Sequence, residues 1–117
     1  MLDHIGIYVT DYMASKEFYK TILAPLGYKV VAEVQGWVAI GDNKPRLWLM
    51  GGAKTIPAVQ LAFQLNNRQL VDQCYQLAMA NGGFSQAEPG KRLIYEQTYY
   101  GAFVEDLDQH IIKFICK

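Results

Sequence analysis

Few side chains here can do chemistry beyond packing, and the most suggestive of them fall in alternating, strand-like runs. In the first run Ile5, Ile7 and Val9 take one face, and His4, Gly6 and Tyr8 take the other. In the second, Val59, Leu61, Phe63 and Leu65 oppose Gln60, Ala62 and Gln64. An imidazole can ligate a metal or pass a proton. A glutamine offers at best a neutral carbonyl oxygen, a much weaker donor to a metal. Arg46, Trp48 and Met50 share one parity, and Ile111, Lys113 and Ile115 share another. His110 has the opposite parity to Lys113, so it belongs to the other face. Of the pair Tyr99 and Tyr100, only one can face the same way as Lys113. Cys74 and Cys116 are too few for a disulfide framework and read as reduced, buried thiols of a cytoplasmic protein.

The elements that must position these residues form a repeat. A constant shift of 56 places His4 on Gln60, Val9 on Leu65, Tyr19 on Tyr75, Gly27 on Gly83 and Tyr28 on Phe84. Each half runs from a strand through a polar cap into an amphipathic helix. Asp11 caps the first helix, and Asn66 or Asn67 the second. The helix stripes are Ala14, Phe18, Ile22 and Leu23, then Leu70, Val71, Cys74, Tyr75 and Ala78. These stripes and the apolar strand faces must meet, which predicts burial of Ile7, Phe18, Leu61, Phe63 and Cys74. Three further strands follow in each half. They are expected at 28–33, 37–41 and 46–50, then weakly near Phe84, at 99–105 and at 111–116. Ala87-Glu88-Pro89-Gly90 reads as a loop, with Lys91 and Arg92 on its solvated flank.

The composition excludes several classes. Eleven basic and eleven acidic side chains cancel, which argues against a nucleic-acid binder and a polybasic membrane-surface protein. With 51% hydrophobic and 19% charged residues, the chain can bury a core. No apolar run approaches the ~20 residues of a membrane span, and Met1-Leu2-Asp3-His4 does not open like a secretory signal. One domain over 1–117 is expected, with modules at 1–52 and 58–117 joined by a linker at 53–57.

The opening Leu2-Asp3-His4-Ile5-Gly6-Ile7-Tyr8-Val9-Thr10-Asp11, the run Ser15-Lys16-Glu17-Phe18-Tyr19 and the helix end Ala24-Pro25-Leu26-Gly27-Tyr28 resemble small members of the vicinal oxygen chelate superfamily. That superfamily comprises the glyoxalases, bleomycin-resistance proteins and extradiol dioxygenases. The stretch from Tyr99 to Asp108 resembles its penultimate strand and following turn, with Leu107 and Gln109 replacing a Pro and a Gly. The resemblance implies an α+β fold, two βαβββ modules forming a curved eight-stranded mixed sheet with helices outside. It also implies a divalent metal held by the first and last strand of each module, at positions that here are His4, Trp48, Gln60 and Lys113. Trp48 cannot ligate. Lys113 stands where a glutamate is implied and repels a dication. The metal site therefore reads as dismantled, with His4 a residual candidate; rescue would need other carboxylates such as Glu96 or Glu105, which nothing in their spacing singles out.

What remains is a cleft for a small molecule. Lys113 and Arg46 would favour an anionic or carbonyl-bearing ligand. Trp37, Trp48, Tyr8 and Tyr99 would supply flat walls. Plainer roles compete: His4 as a hydrogen-bonded residue, Gln60 satisfying polar neighbours, and Lys113 paired with Glu96 or another carboxylate. The expected protein is a metal-free, cofactor-free binding or sequestering homodimer without nucleic-acid or membrane partners. The alternative is a divalent-metal-dependent lyase, isomerase or dioxygenase, and the residues do not decide whether any reaction is catalysed.

Overall fold

A computed structural model describes residues 1–117. Eight strands and two helices divide into two units, Met1–Pro57 and Ala58–Lys117. Each unit is a βαβββ module around its own four-stranded mixed sheet, as the repeat predicts. No helix is long and apolar enough to cross a membrane.

The first unit contains β1 (Ile5–Val9), α1 (Tyr12–Ile22), a single 3-10 turn at Ala24–Leu26, β2 (Lys29–Val34), β3 (Trp37–Gly41) and β4 (Pro45–Gly51). The sheet order is β1-β4-β3-β2, with β1 and β4 parallel and the other pairs antiparallel. Asp11 caps α1 by accepting from the Ala14 N–H at 3.1 Å. The helix lays Ser15, Phe18, Tyr19 and Ile22 over β3 and β4, burying Ile7, Val9, Val38, Ile40, Leu47 and Leu49. Gly27, at φ 80°, closes the 3-10 turn in the left-handed region that glycine enters without a Cβ clash. Glu33 projects from β2 toward α1 and accepts from Tyr12 and Lys16. These two donors, Lys16 foremost, hold its carboxyl below the usual range. Burial first and the Glu33 bond second push the Tyr12 phenol up to about 12.

The second unit contains β5 (Gln60–Gln64), α2 (Arg68–Ala80), β6 (Phe84–Lys91), β7 (Tyr100–Glu105) and β8 (Ile111–Cys116), in the order β5-β8-β7-β6. Asn67 is the cap of α2 and accepts from the Leu70 N–H at 2.9 Å. Asp11 and Asn67 are 56 residues apart, as are the first residues of the two helices, Tyr12 and Arg68.

Three expectations need correction. Ala87–Gly90 is part of β6 rather than a loop, and so is Lys91. β6 is an edge strand, and its ladder to β7 skips from Ala87↔Phe103 to Gly90↔Gly101. Pro89 falls in that gap, where its missing N–H costs no ladder bond. Phe63 is half-buried, unlike Ile7, Phe18, Leu61 and Cys74. Helix α2 packs on β6, β7 and β8, while Phe63 lies out on the edge strand β5 and stacks on Phe114 at 6.4 Å. Cys116 is half-buried at the end of β8, whereas Cys74 is buried under α2. That burial pushes the Cys74 thiol up to about 12.

Candidate functional site

Each sheet has a face turned away from its helix, and Tyr8, Trp37, Trp48, Gln60 and Lys113 fall on these faces. In the first unit the register pairs Gly6 with Trp48 and Tyr8 with Met50, and pairs β3's Ala39 with Trp48 and Trp37 with Met50. Tyr8, Trp37 and Trp48 therefore share the helix-free face. Tyr8 and Trp37 are 43% and 47% exposed, which leaves their rings available for contact. Gly6 leaves room for Met50, whose methyl would lie 3.2 Å from a Cβ at that position.

His4 precedes β1, with its Nδ1 2.7 Å from the Asp3 carboxylate. That bond, above the other influences on it, holds the Asp3 carboxyl below its ordinary value. Arg46 is occupied: its Nε and Nη2 donate to Asp42 at 3.1 and 3.4 Å, and its Nη1 donates to the Asp3 carbonyl. Its charge is thereby met within the turn between β3 and β4, so it is a poor candidate for an incoming anion. Thr55 in the expected linker accepts from the Tyr8 N–H at 2.8 Å, covering part of the outer edge of β1.

In the second unit the register pairs Ala62 with Lys113 and Lys113 with Phe103. Gly6 and Ala62 are 56 residues apart, so Trp48 and Lys113 occupy corresponding places in the two sheets. Gln60 is exposed on the same face, opposite Ile111. Lys113 makes no ion pair; Glu96 is taken by Lys117 at 3.1 Å. Instead its Nζ lies 4.7 Å from the Phe103 ring centre and 5.6 Å from that of Tyr95. The Arg92 guanidinium lies 5.5 Å from the same Phe103 ring.

Tyr99 lies over Gly101, where a Cβ would come within 3.1 Å of its ring, and its ring centre is 4.7 Å from that of Tyr95. Burial above all raises its phenol pKa. Tyr100 points the other way and donates to Asp72 on α2 at 2.6 Å. His110 is fully buried, and its Nδ1 accepts from the Val59 N–H at 3.0 Å.

Phe103 and Tyr95 are not among the residues the sequence points to, and Arg92 reads there as solvated loop, although in similar proteins that loop can border the pocket. The parity of Phe103 with Tyr99 could have found it. Tyr95 and Arg92 come from the segment between β6 and β7, where no periodicity operates.

The donors at the four implied metal positions do not fit a divalent ion. An indole and an ammonium supply no lone pair to a metal, the amide of Gln60 is a weak donor, and no three His, Cys, Asp or Glu side chains converge in either unit. Cations stacked on aromatic rings are instead suited to holding a flat or anionic molecule.

Residues 1–114 match the family model described as Glyoxalase/Bleomycin resistance protein/Dioxygenase superfamily. Among solved structures, a hypothetical protein from S. aureus is 25% identical at a TM-score of 0.77, covering 98% of this chain and 92% of its own. A glyoxalase/bleomycin resistance protein from Albidiferax ferrireducens is 23% identical at a TM-score of 0.84, covering 98% of both chains. A putative glyoxalase from Bacillus halodurans is 21% identical at 0.77, covering 100% of this chain and 96% of its own. No curated protein matches.

Proposed function

Because the chain belongs to the glyoxalase/bleomycin resistance protein/dioxygenase superfamily, we propose that it uses the family framework to bind or sequester a small molecule without a metal. The observation that carries this reading is Lys113. At a place where the resemblance implies a glutamate ligand, an ammonium sits over the rings of Phe103 and Tyr95. Replacing a carboxylate by Lys changes the local charge by two units, which repels a dication and attracts an anion or a polarised oxygen. Homodimerisation and a cytoplasmic location belong to the same proposal and are checked by light scattering and by cell fractionation.

The test is a thermal-shift screen of untagged protein over small molecules, with and without a chelator. The reading expects hits that the chelator leaves unchanged, since a ligand selective for the native state raises its stability. It also expects millimolar zinc, nickel or manganese to leave the wild type unmoved. The Gln60→His/Lys113→Glu double variant should gain metal stabilisation, having acquired two ligands suited to those ions. Wild-type stabilisation by metal equal to the variant's would favour the metal-dependent lyase, isomerase or dioxygenase instead.

A further inference from the structure

On the helix-free face of the second sheet, Arg92 and Lys113 share one aromatic ring and lack a carboxylate partner. Ring faces attract cations, but a ring is a weak counter-charge beside a carboxylate. Lys113 spends none of its three donors on a protein acceptor. Arg92 spends bonds on the Lys91 and Glu88 carbonyls, leaving others of its five N–H groups open. Glu96, the acid in the neighbouring segment, is neutralised by Lys117. Glu105 lies on the same face of β7 but opposite Ile111, out of ion-pair range of Lys113. The face thus carries two half-used cations beside the tilted ring pair Tyr95 and Tyr99, with Tyr95 about half exposed.

From this juxtaposition we infer that the ligand class of this face is the planar aromatic carboxylate. Its carboxylate is received by Lys113 and Arg92, and its ring is stacked against Tyr95 and Phe103. The inference rests on the small-molecule-binding reading above and narrows it. An aliphatic acid would meet the cations but gain nothing from the flat walls. A neutral aromatic would stack but leave both cations desolvated and unanswered.

Titration calorimetry with three probes decides it: 2-naphthoate, its neutral analogue 2-acetylnaphthalene, and cyclohexanecarboxylate. The expected result is binding of 2-naphthoate, weakened by higher salt, with the other two at least about tenfold weaker. Arg92→Gln and Lys113→Gln should each weaken 2-naphthoate by about tenfold, and Lys113→Arg should restore most of that loss, because charge rather than shape is being tested. Unfolding midpoints of the free variants report whether each is folded.

Equal affinity for any two probes, no binding of 2-naphthoate, or binding indifferent to both Gln variants would overturn the inference. Failure of 2-naphthoate alongside chelator-insensitive hits from other chemistry would sink this proposal and leave the metal-free reading standing. Hits that appear only with added metal would sink both.

Discussion

Removing the Asp106 carboxylate should cost about 2–4 kcal/mol of unfolding free energy. Asp106 opens the turn between β7 and β8 and is 5% exposed. Its Oδ1 accepts from the N–H groups of Asp108 and His110, each at 2.8 Å. Around it the chain closes with Asp106 N–H to His110 O at 2.9 Å and Gln109 N–H to Asp106 O at 3.2 Å. Asp106→Ala strips the acceptor from two buried donors. A net hydrogen bond to a charged group is worth ~1.5–3 kcal/mol, and an orphaned buried N–H costs ~1–3 kcal/mol. Two such losses, partly relieved by water entering the turn, give the stated range.

The same turn holds Gln109 at φ 64°, in the left-handed region. Conformational strain there costs a non-glycine residue about 1 kcal/mol, so Gln109→Gly should recover up to about that amount. Urea unfolding followed by circular dichroism measures both changes against one baseline. Asp106→Ala losing under 1 kcal/mol, or Gln109→Gly destabilising the protein, would show that this turn is not held as described.

Three other outcomes are expected. Phe114→Ala should cost ~3–5 kcal/mol, as for a fully buried aromatic, and Phe63→Ala clearly less because it is only half-buried on the edge strand; equal losses in urea unfolding would contradict the edge placement. Glu33 has a depressed carboxyl in the folded state, so its stabilising contribution is present above the unfolded value near 4.5 and is lost as pH falls through the lower folded value. Glu33→Gln should therefore flatten the acid limb of a stability-against-pH curve. Cys74, buried with its thiol raised to about 12, should resist an aqueous thiol reagent at pH 8 while half-buried Cys116 reacts, as peptide mass mapping would show.

Strand and helix positions were legible where a periodic signal met a clear boundary. β3 and β8 occupy the spans 37–41 and 111–116 read from alternation, and Asp11 and Asn67 cap the helices as their side chains suggest. The signal failed where an edge strand tolerates breakers: Pro89 and Gly90 look like a loop, yet a skipped register absorbs them. It also could not tell how far a helix reaches across its sheet, which is why Phe63 is less buried than its parity implies. At the candidate site, parity placed Trp48, Lys113 and Tyr99 on helix-free faces. It could not anticipate that Asp42 takes up the charge of Arg46, nor that Tyr95 folds back over Phe103, because both depend on turns and connecting segments.

The strand order carries a consequence for how the molecule is assembled during synthesis. In each unit the first strand finds its only sheet partner in the last, β1 on β4 and β5 on β8, while β8 is itself interior to its sheet. Such parallel pairs close over most of a module, and local contacts cannot hold the first strand until the last arrives. The first sheet can be completed once residue 51 has cleared the ribosome. The second must wait for Ile111–Cys116, so β5 cannot join its sheet until β8 has been made. A nascent chain stalled near residue 105 would therefore carry one finished module and one unpaired apolar strand, a species suited to chaperone capture.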